Sequence, residues 1–184
     1  MTAEPVRTVA DVLARDLRQK IEEIVKVDQT DEESVYREIT EYVVTDRLRE
    51  QYKALLRAIR DAQSEPHEGI GVWISGFFGS GKSFFAKNLG YILGNPSVMG
   101  HPAGKLFKAQ IQDNTVADLV DSLNASIPTE VVMFDVSVEK SVKTGNEKMA
   151  EIMYRVLLRE LGYAEDFDIA EVEFQLEGED KLES

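Results

Sequence analysis

The sequence predicts an α/β protein in which helices flank a parallel β-sheet. Two short apolar runs rich in strand-forming residues, 71–75 and 131–134, are separated by a stretch with helical periodicity. A crossover that contains a helix places two such strands parallel in one sheet. Because a glycine-rich loop and a helical pattern follow the first run directly, the order of elements is strand, glycine loop, helix.

The residues before this unit are predicted to be helical. Apolar side chains recur at three- and four-residue intervals in three stretches. Thr30 to Glu33 has the form of a capping box at the start of the second stretch, and Thr45 or Asp46 can cap the third. The first helix is expected from Thr8 to about Val27, with the apolar stripe Val12, Leu13, Leu17, Ile21, Ile24 and Val25.

The second half of the chain is expected to contain two more helices and an acidic end. Helical spacing recurs over 116–123 and again over 149–161, where Gly162 closes the pattern. Residues 97–104 are expected to form a loop. We divide the chain into an N-terminal helical region at 1–64, an α/β core at 65–165 and an acidic segment at 166–184.

The glycine-rich loop fits the phosphate-binding pattern of Gly, four residues, then Gly-Lys-Ser. Its glycines allow the backbone amides to approach phosphate oxygens, and the following helix adds the positive end of its dipole. Lys82 is expected to reach the β- and γ-phosphates of ATP, while the Ser83 hydroxyl ligates Mg²⁺. The predicted ATP-binding residues are Gly76, Phe77, Phe78, Gly79, Ser80, Gly81, Lys82 and Ser83.

An ATPase also needs a carboxylate that holds Mg²⁺ and usually a second acid that activates water. Asp135 is the candidate, because it ends the second apolar run. Val136 stands where many ATPases place the second acid, and the alternative role of Asp135 is that of a strand-end or helix-cap residue. Phe77 and Phe78 are expected to pack under the loop or to contact a partner domain.

Composition excludes several other classes of function. The net charge of −13, from 34 acidic and 21 basic residues, argues against direct nucleic-acid binding. The chain has no cysteine, and its two histidines, His67 and His101, lack ligand spacing. No apolar run approaches the roughly 20 residues that span a bilayer, so we expect a cytoplasmic protein without membrane contact.

Three blocks of sequence together resemble BrxC-type proteins, the large ATPases of bacterial BREX phage-defence systems, which are similar to PglY of phage growth limitation. The blocks are 26–32 (Lys-Val-Asp-Gln-Thr-Asp-Glu), 41–46 (Glu-Tyr-Val-Val-Thr-Asp) and 71–83, which contains Trp-Ile-Ser-Gly-Phe-Phe-Gly-Ser-Gly-Lys-Ser. The resemblance covers roughly residues 10–165 and implies a P-loop NTPase fold of the AAA+ type.

The resemblance also implies partners and further roles. It implies other subunits of a defence complex, self-association, and ATP with Mg²⁺ as cofactors. Tyr42 to Val44 would lie against the adenine base, although ordinary core packing is the favoured explanation of these residues. Family members are several times longer, so the chain is expected to be an N-terminal piece whose magnesium-binding acid lies beyond Ser184.

Three functions remain open at the level of sequence. The first is the ATP-binding module of a phage-defence ATPase. The second is a scaffold that binds nucleotide for assembly and hydrolyses little of it, which would suit a chain without a clear acid pair. The third is a small P-loop kinase, against which stands the lack of paired arginines in a segment that would clamp a second phosphate.

Overall fold

The computed structural model describes residues 31–62, 71–135 and 149–178. These ranges contain seven helices, which make up 66% of the described residues, and one two-stranded antiparallel sheet. The helices are α1 (Glu32–Thr40), α2 (Asp46–Asp61), α3 (Lys82–Gly94), α4 (Ala103–Ile111), α5 (Asn114–Ser126), α6 (Met149–Glu160) and α7 (Phe167–Gly178), and the strands are β1 (Ser97–Val98) and β2 (His101–Pro102).

The predicted P-loop NTPase fold with a parallel sheet is wrong for the described residues. Residues 71–75 and 131–135 form no strand, and the sheet within the described ranges is β1 with β2 alone. Val72 and Trp73 are 51% and 91% exposed, respectively. A strand needs a hydrogen-bonded neighbour and a surface to pack on, and strand propensity in the sequence supplies neither.

Five predicted helices, α1, α2, α3, α5 and α6, are confirmed, with small shifts at their ends. The capping residue of α1 is Asp31 rather than Thr30, and its Oδ1 accepts a hydrogen bond of 2.9 Å from Ser34 N. Thr45 caps α2 through its hydroxyl, which accepts from Leu48 N at 3.3 Å. α5 begins two residues before the predicted 116 and α6 at Met149. The predicted helix over 8–27 lies outside the described residues.

The core lies between α1, α2, α3, α4 and α5, with an aromatic cluster at its centre. Tyr52 is fully buried, and its ring centroid lies 4.4 Å from that of Phe85 and 5.0 Å from that of Phe107. Burial raises the pKa of Tyr52, so the hydroxyl stays protonated and donates to Phe85 O at 3.3 Å. This cluster holds the first turns of α3 against α2 and α4.

The stretch 97–104, predicted to be a loop, contains a tight hairpin and the start of α4. Met99 and Gly100 both have positive φ, 50° and 78°, which suits the two-residue turn between β1 and β2. Asn95 ends α3 in the left-handed conformation, and its Oδ1 accepts from Gly104 N at 2.9 Å. α4 is as short as α1 but begins after Pro102 without a capping side chain, so the sequence lacked the capping signal that marked the start of α1.

The acidic segment that follows α6 contains a helix, and α6 and α7 contact each other through aromatic rings. The ring of Phe167 lies 5.1 Å from that of Tyr154, and Tyr163 lies 4.4 Å from Phe174. Gly162 turns the chain with a φ of 86°. None of the helices in the described ranges has the length and hydropathy required to cross a membrane.

Candidate phosphate-binding loop

The glycine-rich loop folds back on itself immediately before α3. Ser80 N donates to Phe77 O at 3.2 Å, which closes a turn over four residues. Gly79 and Gly81 have φ values of 75° and 84°, in the left-handed region that strongly favours glycine. Two of the glycines that the motif predicts to be necessary therefore occupy positions where a side chain would cause strain.

The third motif glycine lies close to the end of the loop. A Cβ built on Gly76 would lie 2.7 Å from Ser80 Oγ and 3.8 Å from Lys82 Cδ. The first residue of the loop therefore faces the last ones. A methyl group at Gly76 would require the Ser80 side chain to rotate.

The side chain of Lys82 bonds back to the start of the loop. Its ammonium nitrogen donates to Phe77 O at 2.7 Å, across five residues. The side chain is half-buried, and the loop around it is exposed. An ammonium group held over the loop by a carbonyl of that loop is placed where a phosphate oxygen would replace the carbonyl as its partner.

The start of α3 leaves its backbone donors without a side-chain cap. Gly81 is the N-cap residue and forms no side-chain hydrogen bond to the first turn. Ser83 is exposed in that turn, next to Lys82. A helix of 13 residues that begins in this way presents amide groups and the positive end of its dipole to an anion.

Phe77 and Phe78 do not pack under the loop, so that alternative is wrong. Their side chains are 91% and 95% exposed. Phe77 instead contributes its carbonyl oxygen to both the Ser80 turn and the Lys82 contact. Contact of the two rings with a partner stays a prediction.

Asp135 is exposed at the end of a segment that packs along α3. A Cβ at Gly94 would lie 3.0 Å from Val131 Cγ2, and one at Gly90 would overlap Met133 Cε. The segment therefore runs antiparallel to α3, from its end towards the loop. Gly90 lies about 10 Å along the helix from Ser83, whereas the two residues from Met133 to Asp135 extend at most about 7 Å.

Tyr42 lies in the core, whereas Val43 is 78% exposed. The Tyr42 ring stacks on Phe84 at 6.0 Å and on Phe107 at 6.4 Å. Core packing, one of the two interpretations of residues 42–44, therefore accounts for Tyr42.

A buried ion pair, which the sequence reasoning missed, anchors α3 to α1. Lys87 is 1% exposed, and its Nζ lies 2.8 Å from Glu38. The Tyr91 hydroxyl donates to Glu38 Oε2 at 2.8 Å, and burial together with this bond raises the pKa of Tyr91. The signal was present in the sequence, because Lys87 falls at helical spacing between Phe84 and Tyr91 on the buried face of α3.

A cavity and the arrangement of acidic and histidine side chains were compared with the loop as possible ligand sites in the described residues. An open cavity of about 440 Å³ is lined by Val35, Gly90, Gly94, Val98 and Met133 among others, but by no residue of the loop. No group of three or more His, Asp or Glu side chains in the described ranges is arranged to hold a metal ion. The cavity is thus separate from the glycine-rich loop.

Comparison with models of protein families gives no match for this chain. No solved structure matches it either. The class of site is therefore defined by the loop itself: a glycine-rich segment that ends in Lys82 and Ser83 at the start of a helix.

Proposed function

We propose that the loop Gly76–Ser83 binds ATP with Mg²⁺, and that the chain is the ATP-binding part of a cytoplasmic ATPase that acts in bacterial phage defence. One observation supports this most strongly: Lys82 is bound to a carbonyl of its own loop at the uncapped start of α3. Phosphate oxygens would exchange with Phe77 O as the partner of the ammonium group.

The residues fit a magnesium nucleotide at this position. Gly76, Gly79 and Gly81 meet the conformational demands of a loop that wraps phosphate, as their φ values and close contacts indicate. Ser83 is exposed beside Lys82, where its hydroxyl is available to a cation. When bound, Mg²⁺ would neutralise charge on the β- and γ-phosphates.

ATP hydrolysis would also require a carboxylate near Mg²⁺, and Asp135 is the candidate. The segment that ends at Asp135 packs along α3, with Val131 next to Gly94 and Met133 next to Gly90, which supports a role for the exposed Asp135 carboxylate near Mg²⁺. The phage-defence role, and partners among other subunits or copies of the chain, are supported by the resemblance of residues 26–32, 41–46 and 71–83 to BrxC-type proteins.

Titration of the chain with Mg²⁺ and ATP by calorimetry tests the site. We expect Lys82→Ala to weaken binding at least about tenfold, since a hydrogen bond to a charged group contributes about 1.5–3 kcal/mol. Lys105→Ala is the matched control, because Lys105 is an exposed lysine in the first turn of α4. Equal binding by wild type and Lys82→Ala would refute the assignment.

Trp73 gives a second and independent readout. It is the single tryptophan of the chain, lies three residues before Gly76 and is 91% exposed. We expect its emission to change with nucleotide in wild type and in Lys105→Ala, but not in Lys82→Ala at the same concentration. Phosphate release that Asp135→Asn abolishes would support the ATPase, whereas binding without release would favour the nucleotide-dependent scaffold.

A further inference from the structure

α7 has an apolar stripe that faces solvent. Ile169, Val172 and Leu176 are 54%, 53% and 38% exposed and follow one another at intervals of three and four residues. At about 100° per residue, their side chains lie within an arc of about 60° on one face of the helix. Such spacing is typical of a face that packs against another helix.

The opposite face of α7 carries two aromatic rings that contact neighbouring groups, and one of them, Phe174, is still 39% exposed. Phe167 contacts Tyr154 and the guanidinium of Arg155, and Phe174 contacts Tyr163. These rings project about 180° from the exposed stripe. The helix therefore has two apolar faces, of which contacts with α6 and the turn before α7 explain only one.

Carboxylates border the exposed stripe on both sides. Asp168 and Glu173 lie about 70° to either side of its centre, and Glu177 lies about 110° from it. Glu173 accepts a hydrogen bond of 2.7 Å from Ala164 N, and Glu177 accepts one from the Tyr163 hydroxyl, so both carboxylates are also bound to the turn before α7. Two copies of this surface would bring like charges together, which disfavours self-association through α7. A helix whose apolar stripe is bordered by basic residues would be complementary.

We propose that the α7 stripe is the docking surface for residues 8–27 of the same chain. That segment, which lies outside the described residues, has a helical apolar stripe in its sequence. On a helical projection Arg18 and Lys20 border the stripe on opposite sides, while Glu22 and Glu23 lie on the far face. A helix of 20 residues would span about 30 Å at 1.5 Å per residue, enough to cover the roughly 18 Å of α7.

This docking does not depend on nucleotide, so its test is separate from that of the loop. The chain contains no cysteine, and any engineered pair is therefore unique. In the full chain, Val172→Cys is combined with Leu17→Cys or with Ile21→Cys and treated with a short bis-maleimide. The matched control combines Val172→Cys with Glu23→Cys, on the far face of the segment.

The expected result is a crosslinked monomer from at least one stripe pair and little product from the control. A crosslinked dimer would overturn docking within one chain and assign the surface to a second copy. Equal yields from stripe and control pairs, or no product from either stripe pair, would show that the segment does not lie on α7.

Limited trypsin digestion gives a measurement without cysteine. Arg15, Arg18, Lys20 and Lys26 are cleavage sites within the segment. We expect Val172→Asp to speed cleavage there about tenfold, because cleavage follows the population of the undocked segment. Gln175→Asp, which adds the same charge at an exposed position of α7 away from the stripe, is the control; equal cleavage of the two variants would contradict the proposal.

Discussion

Phe107 and Phe78 have the same side chain in opposite surroundings, and the difference separates two regions of the molecule. Phe107 is fully buried among Tyr42 and Tyr52 in the helical body, α1 to α5. Phe78 is 95% exposed in the loop before α3. Burial stabilises the fold in the first region, whereas the second is held by backbone turns and one lysine contact. Stability and phosphate binding should therefore respond to different substitutions.

The largest expected effect is on the helical body. We expect Phe107→Ala to lower the free energy of unfolding by about 3–5 kcal/mol, because it removes a buried ring and leaves a cavity. Phe78→Ala should change it by no more than about 0.5 kcal/mol, as is usual for an exposed position. Urea unfolding followed by circular dichroism measures both. A comparable loss in the two variants would contradict the separation of the regions.

The ion pair between Lys87 and Glu38 gives a second test of the separation between the helical body and the loop. Lys87 lies on α3, directly after the loop, but it is buried in the helical body. Lys87→Met is expected to cost about 3 kcal/mol, since it leaves Glu38 without its cationic partner in a largely buried position. In Lys87→Met/Glu38→Leu the loss should fall to about 1–2 kcal/mol, mostly from the Tyr91 hydroxyl that loses its acceptor. Chemical unfolding of the wild type and of these two variants measures both differences in the free energy of unfolding.

A double variant that is less stable than Lys87→Met would show that the pair itself stabilises the fold.

Nucleotide binding by the Lys87 and Lys82 variants provides the second comparison between the helical body and the loop. Below the unfolding transition, Lys87→Met should bind Mg²⁺ and ATP like the wild type, while Lys82→Ala should not. The two lysines are five residues apart on one helix, so this contrast separates the loop from its support.

The sequence predicted the helices better than the sheet, and the reason is physical. Helical spacing and caps such as Thr45 are local, because each hydrogen bond closes within a few residues. A strand depends on a neighbour far along the chain, and Trp73 shows how a run of strand-forming residues stays exposed when none of the described residues pairs with it.

The same distinction applies to the candidate site. The positive φ of Gly79 and Gly81 and the start of α3 at Lys82 follow from a contiguous motif and were predictable. The contact of Lys82 with Phe77 O, and the contacts of Val131 and Met133 with α3, depend on how the chain folds back. Spacing in the sequence contains no information on those distances.

The smallest expected effect concerns acid sensitivity in the helical body, away from the loop. Asp113 caps α5 by accepting from Val116 N at 3.1 Å and forms an ion pair of 2.8 Å with Lys53 on α2. The hydrogen bond from Lys53 holds the pKa of Asp113 below its ordinary value of 3.8, and the bond to Asp113 raises the pKa of Lys53. The charged form of Asp113 is thus favoured by folding.

Because the pKa of Asp113 is lowered on folding, its contribution to stability is present above pH 3.8 and is lost as the pH falls through the lowered value. Asp113→Asn keeps a good capping residue but removes the charge. It should therefore reduce the loss of stability below pH 3.8 and have little effect on the rest of the profile of stability against pH. Unfolding midpoints in urea between neutral and acidic pH measure the effect. Lys53→Gln should flatten the same acidic part of the profile of stability against pH. If Asp113→Asn/Lys53→Gln flattens it by the sum of the two single effects, the two groups act separately rather than as a pair.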